Sequence, residues 1–253
     1  MKRMRYKRST CIVIIMIFLA LFFRVSYRFC IERSDRDEIT YLHRIDSFLN
    51  EDITTKENNY FLIICIGAFF KKHGFDPNIA LRIVNLFFSV LWVYVMYLIS
   101  KIVFTHQIQR YAVLLFCSIN PYCVRISMMI LRDPLYLFLF TSAIYLCLLF
   151  LHSRIKYSFS FVMPLIVVLS FWARYEGLEL IVLYCLTFAF ALIARFSKKM
   201  KLSFASCAIH SIIFATTLFV NVFTLYHFFP KYFKGFFSFL MSHDIDPVFN
   251  TLT

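Results

Sequence analysis

A chain of 253 residues with 61% hydrophobic and 16% charged residues lies well outside the soluble norm of about 25% charged. Its apolar residues come in long blocks, which excludes an ordinary soluble globular domain and points to a polytopic membrane protein. The net charge of +13 excludes nucleic acid as a partner, because the basic residues stand at the ends of apolar spans instead of gathering on one polar face.

In chain order, Lys2, Arg3, Arg5, Lys7 and Arg8 precede an apolar run over residues 10–23. No small-residue cleavage site follows it, so the run reads as an uncleaved anchor with its N-terminus in the cytoplasm. Arg24-Val25-Ser26-Tyr27-Arg28 is its flank. The first outer loop then holds the densest charge in the chain, with eight of the fourteen acidic residues lying from Glu32 to Glu57. Within it, Ile39, Leu42, Ile45, Phe48 and Leu49 fall at helical spacing, as in an amphipathic helix lying along a membrane surface. The eleven apolar residues 60–70 are too few for a hydrocarbon core about 30 Å thick and read as a second surface or re-entrant helix.

Further spans follow over residues 79–104, 111–122, 135–151, 159–173, 178–194 and 202–228, which gives seven crossings with the first. Alternation from a cytoplasmic N-terminus puts residues 101–110, 152–156 and 195–201 inside, and these carry eight Lys or Arg and no acid. Every acidic residue then falls at the outer side, including Asp76, Asp133, Glu176, Glu179, Asp244 and Asp246. The expected fold is all-α, a helical bundle of about seven spans with amphipathic surface helices in the first outer loop. It is one membrane domain: residues 1–28 form the tail and first span, 29–78 the outer loop, 79–228 six further spans and 229–253 an outer segment. The eight cysteines are scattered singly with no Cys-x-x-Cys spacing, so they read as small buried hydrophobes.

Three charged clusters meet at the outer rim in this topology: Arg36-Asp37-Glu38, Arg132-Asp133, and Arg174-Tyr175-Glu176-Gly177-Leu178-Glu179. An ionisable group at membrane depth costs roughly 2.5 to 3.5 kcal/mol on insertion scales, so such groups face a bundle interior or a wet cavity. Arginine mixed with carboxylate suits a phosphate-bearing substrate, the guanidinium gripping phosphate and a carboxylate taking a hydroxyl proton. The plainer reading of Arg132-Asp133 and Arg174-Glu176 is interfacial snorkelling with local ion pairs. For Asp46, Glu51, Asp52 and Glu57 it is a solvated face.

The chain resembles the GT-C superfamily of integral-membrane glycosyltransferases, of the protein-mannosyltransferase and aminoarabinose-transferase type. The resemblance is carried by Asp35-Arg36-Asp37-Glu38-Ile39-Thr40-Tyr41-Leu42, similar to the acidic motif that opens that family's first outer loop. It extends to Ile79-Ala80-Leu81-Arg82-Ile83-Val84-Asn85-Leu86, to Asn120-Pro121-Tyr122 followed by Leu131-Arg132-Asp133-Pro134, and to Ala173-Arg174-Tyr175-Glu176-Gly177. Where the family has His-Pro-Pro-Leu-Tyr, this chain has Glu57-Asn58-Asn59-Tyr60.

The resemblance implies transfer of a monosaccharide from a polyprenyl phosphate carrier to the hydroxyl of a lipid, glycan or protein acceptor at the outer face. Asp37 would be the general base, Glu38 and Asp133 would support the site or a divalent cation, and Arg132 and Arg174 would hold the phosphate. Arg36, Tyr41 and Glu176 would complete the substrate site. The simple basic N-terminus points to a bacterial inner membrane. Two other readings stand beside this one. A transporter or lipid flippase would need ionisable groups near the midplane, where the sequence offers His210 and Asn221. A non-catalytic or truncated membrane assembly partner would need none of this chemistry.

Overall fold

The structure, a computed structural model, describes residues 2–30, 36–50, 61–152, 157–196 and 204–228, and the elements among them are all helical. They are α1 (Lys2–Cys30), α2 (Arg36–Leu49), α3 (Phe61–Lys72), α4 (Pro77–Val103), α5 (Gln107–Ile119), α6 (Pro121–Ser127), α7 (Asp133–Leu151), α8 (Tyr157–Ala173), a 3-10 turn (Tyr175–Leu178), α9 (Glu179–Phe196) and α10 (Phe204–Phe228). The outer segment 229–253 and the Glu57 to Tyr60 motif lie outside the described residues.

Polar caps followed by proline set several of the helix starts. The Asp76 carboxylate accepts the Asn78 N–H at 2.9 Å ahead of Pro77, and the Asn120 side chain accepts the Cys123 N–H at 3.1 Å ahead of Pro121. Asn120 also ends α5, so the expected single span over residues 111–122 is two helices and not one. At 1.5 Å per residue the 13 residues of α5 cover only about 20 Å.

Among the described residues, three helical stretches are by length and composition long and apolar enough to cross a membrane: Thr10–Phe29, Pro77–Val103 and Asp133–Leu151. Ser160–Ala173 and Ile212–Asn221 are shorter apolar stretches. The packing is compatible with apolar surroundings. Large apolar side chains face outward, as Ile15, Phe18 and Phe22 do on α1 and Val182, Leu186, Phe190 and Ile193 on α9. Ser89, Ser100, Ser118, Ser127, Ser160 and Ser170 are buried, where small side chains let helices approach closely, and Ser100, Ser118 and Ser127 hydrogen-bond back to their own turns. Of the cysteines expected inside, Cys117 and Cys147 are buried, whereas Cys11 and Cys185 are exposed on the outer faces of α1 and α9.

The helix α4 is central. One core joins α7 to α8, α9 and α10 around Met163, Phe150, Leu180 and Tyr184. A second joins α1, α4 and α5 around Ala20, Val93 and Leu114, and a third seats α2 and α3 on the start of α4 around Tyr41, Ile45, Ile63 and Leu81. The buried stripe of α2 is Glu38, Tyr41 and Ile45, while Ile39 is 60% exposed and Leu49 is also exposed. The helix is therefore rotated from the face that apolar spacing alone selects, because Glu38 has an internal partner and Ile45 fits over Gly67 of α3. A Cβ at Gly67 would collide with the Ile45 side chain.

Arg24, expected as a flank of the first span, is fully buried. Its Nε donates to Ser89 Oγ at 2.7 Å, Nη1 donates to the Ala20 and Ser118 carbonyls at 3.0 Å each, and Nη2 donates to the Cys117 carbonyl at 3.5 Å. Cys117 and Ser118 belong to the last turn of α5, whose carbonyls lose their helical donors where the chain breaks at Asn120. The guanidinium replaces those donors. Removing it strands buried acceptors at roughly 1 to 3 kcal/mol each. Arg24→Met is expected to lower stability by about 2 to 5 kcal/mol, with Arg24→Lys recovering part, as read from thermal unfolding of the purified protein in detergent.

Candidate functional site

The site is built on four residues of irregular backbone, 128–131, between α6 and α7. Backbone groups outside a helix need partners wherever water is excluded, and three side chains supply them. Arg82 Nη1 donates to the Met128 carbonyl at 2.6 Å, and Asn85 Nδ2 donates to the carbonyls of Met129 at 2.7 Å and Leu131 at 2.9 Å. Glu38 Oε1 accepts the Ile130 N–H at 2.8 Å while its Oε2 accepts from Arg82 Nη2 at 2.8 Å. Asn78 Oδ1 accepts from Arg82 Nε at 2.8 Å and fixes the plane of the guanidinium. The Glu38 side chain is 3% exposed and that of Arg82 13%. Loss of either partner alone would strand a buried charge, a change that costs about 3 to 5 kcal/mol.

Three residues beyond Ile130, within about 10 Å of chain reach, Asp133 opens α7 and pairs with Arg174, which follows the end of α8. The other arm of the Arg174 fork donates to Glu176 Oε1 at 2.6 Å. Its guanidinium carbon lies 5.4 Å from the centre of the Tyr136 ring, a cation–π contact. Its Nε is buried with no hydrogen-bond acceptor among the described residues. The turn that carries Glu176 is pressed against the last turn of α8 at Gly177, where a Cβ would collide with the backbone of Ser170 and Phe171. Beside this cluster, Phe61 of α3 packs edge-on against Trp172 of α8 at 4.8 Å and against Phe48 of α2 at 6.3 Å.

The charge pairing acts on the titration of both partners. The hydrogen bond from Arg174 holds the Glu176 carboxyl below the usual carboxylate range, and the same bond raises the Arg174 guanidinium above its ordinary value. Arg132, at the N-cap of α7, adds to the field that keeps Glu176 ionised.

The structure thus brings the three charged clusters of the sequence to one end of the bundle. Asp37 is exposed in the first turn of α2, where the positive helix terminus favours a carboxylate. Arg36 opens the same helix; its side chain lies outside the described ones. Glu38 is engaged through both oxygens and so holds structure. Tyr41 is 5% exposed and packs in the α2–α3 core instead of lining an open site. Arg132, Asp133, Arg174 and Glu176 stand together at the junction of α7, α8 and the 3-10 turn. As for a divalent cation, among the described residues no group of three His, Cys, Asp or Glu side chains converges on one point, and Glu38 and Asp133 are each paired with an arginine.

Arg82 and Asn85 were not among the residues that the sequence singled out for chemistry. The signal for them was present: Asn78, Arg82, Asn85 and Ser89 recur at intervals of four, three and four within an apolar helix. That is one polar stripe along a single face. No protein-family model matches the chain, and no curated protein or solved structure is significantly similar to it.

Because Glu176 titrates lower in the folded protein, its pairing contributes stability above the ordinary carboxyl value of about 4.5 and loses it as pH falls through the lower folded value. Glu176→Gln is expected to melt below the parent at neutral pH. The two melting curves are expected to converge when the pH is taken well below about 4.5.

Proposed function

We propose that the chain is a polytopic membrane glycosyltransferase of the GT-C type that moves a monosaccharide from a polyprenyl phosphate to an acceptor hydroxyl at the outer face. The observation that carries this reading is the meeting of clusters far apart in sequence. Glu38 reaches the backbone 92 residues on, and Arg174 reaches back 41 residues to Asp133, so all three charged motifs share one end of the bundle.

In this reading seven spans cross the membrane, with α5 and α6 together forming the third. The N-terminus is cytoplasmic, and the clusters face outward in a bacterial inner membrane. Asp37 is the general base. It is exposed at a helix N-terminus with no ion-pair partner among the described side chains, whereas Glu38, Asp133 and Glu176 are each held by an arginine. As the new glycosidic bond forms, Asp37 takes the acceptor's hydroxyl proton, and the lipid phosphate leaves with the electron pair of its bond to the sugar. Arg132 and Arg174 stabilise the charge that the phosphate gains. The arm of Arg174 now on Glu176 is the one a phosphate would take, since the Glu176 side chain is 42% exposed and that of Asp133 only 24%.

Two measurements test this. For topology, single cysteines at His43 and Asp76 are expected to react with a thiol reagent that cannot cross membranes, and those at His106 and His152 are not. All four positions are exposed in the structure. Labelling of His106 or His152 positions from outside would overturn the shared outer face. For chemistry, Asp37→Asn keeps the shape and removes the proton acceptor, so transfer in membranes supplied with lipid-linked sugar is expected to fall by on the order of 10² to 10⁴. Binding of the lipid donor is expected to survive Asp37→Asn and to weaken in Arg174→Ala. Unchanged transfer in Asp37→Asn would favour the non-catalytic assembly partner.

A further inference from the structure

We infer that Arg82 is a positioning residue: by holding Glu38 and the Met128 carbonyl in one fork, it fixes the separation between Asp37 on α2 and the Asp133–Arg174–Glu176 cluster.

Among the described contacts, Glu38 joins the start of α2 to two things at once, Arg82 on α4 and the Ile130 N–H that leads to Asp133. Tyr41 and Ile45, one and two turns further on, seat the rest of α2 against α3. The position of Asp37 relative to α7 is therefore carried by a chain of short bonds: Glu38 to Arg82, Arg82 to Met128, and Glu38 to Ile130. Asn78 fixes the Arg82 guanidinium from one turn below, and Asn85 holds Met129 and Leu131 from one turn above. Only a planar, forked donor can serve Glu38, Met128 and Asn78 together; a lysine ammonium at the same place cannot span all three.

An arginine that merely stabilised the fold would be replaceable. A buried ion pair exchanged for apolar side chains of similar size is often neutral or stabilising, so Glu38→Met with Arg82→Met separates folding from geometry. The test uses the full chain in lipid nanodiscs, with spin labels at Ile39 on α2 and Leu178 on the 3-10 turn, both exposed positions. The parent is expected to give one narrow distance distribution. The double variant Glu38→Met/Arg82→Met and the milder Arg82→Lys are expected to give broader ones. A distribution of parental width in every variant that folds would overturn the inference.

The consequence for turnover rests on the glycosyl-transfer reading, while the consequence for geometry does not. If both hold, kcat falls about 10²-fold in Arg82→Lys, the scale expected for a misplacement near 1 Å, and KM for the lipid donor is unchanged. A parent without transfer activity and broadened distances in the variants would sink the transfer reading and leave the positioning role standing. A fall in kcat with parental distances would sink the positioning role and leave the transfer reading standing.

Discussion

In a bundle whose outer surface is apolar, each backbone N–H and C=O that leaves a helix must find its partner inside the protein, because neither lipid nor a dry interior supplies one. This chain leaves helical geometry twice within a short distance, at Asn120 and over residues 128–131. Both departures are made good by side chains from other helices. Arg24 of α1 serves the end of α5, and Glu38, Arg82 and Asn85 serve the segment ahead of α7. The apolar cores hold the helices side by side, but these polar contacts decide at what height they stop.

The same requirement explains why the charged rim has two kinds of carboxylate. Glu38 is spent on structure, with both oxygens bonded and almost no exposure. Asp133 and Glu176 share one arginine across the α7–α8 junction in a partly open setting, where a competing anion can reach the guanidinium. Asp37, one residue from Glu38, is turned outward by the helical rotation of about 100° per residue. Adjacent acidic residues in one motif thus meet opposite environments. A helix that anchors itself through one of them necessarily presents the other.

The helices and their order were legible in the sequence because hydropathy and proline-linked caps act locally. Residues 79–104, 135–151 and 159–173 match α4, α7 and α8 to within about two residues, the ordinary uncertainty of helix ends. The face that α2 buries was not legible from apolar spacing, since Glu38 is buried by virtue of Arg82, a residue 44 positions away. Arg24 was hidden for a related reason: an arginine just past an apolar run has the pattern of an interfacial residue, and only the break in α5 makes it an internal donor. The charge clusters themselves could be picked out because acids are scarce and localised. Their pairing could not, because it depends on the height at which α7 begins.

Arg24 also bears on how the chain is made. Its partners on α5 lie 93 and 94 residues further along, so at a synthesis rate of about 5 to 20 residues per second the ribosome needs roughly 5 to 20 seconds to deliver them. During that interval the first helix carries a guanidinium with none of its α5 acceptors, near an end from which the side chain can still reach polar surroundings. Its bonds to the carbonyls of α5 form only once α5 has been made. A residue that looks like a static peg in the finished bundle would thus act during biosynthesis as a delayed latch, whose partner on α4 is made first and whose partners on α5 complete it.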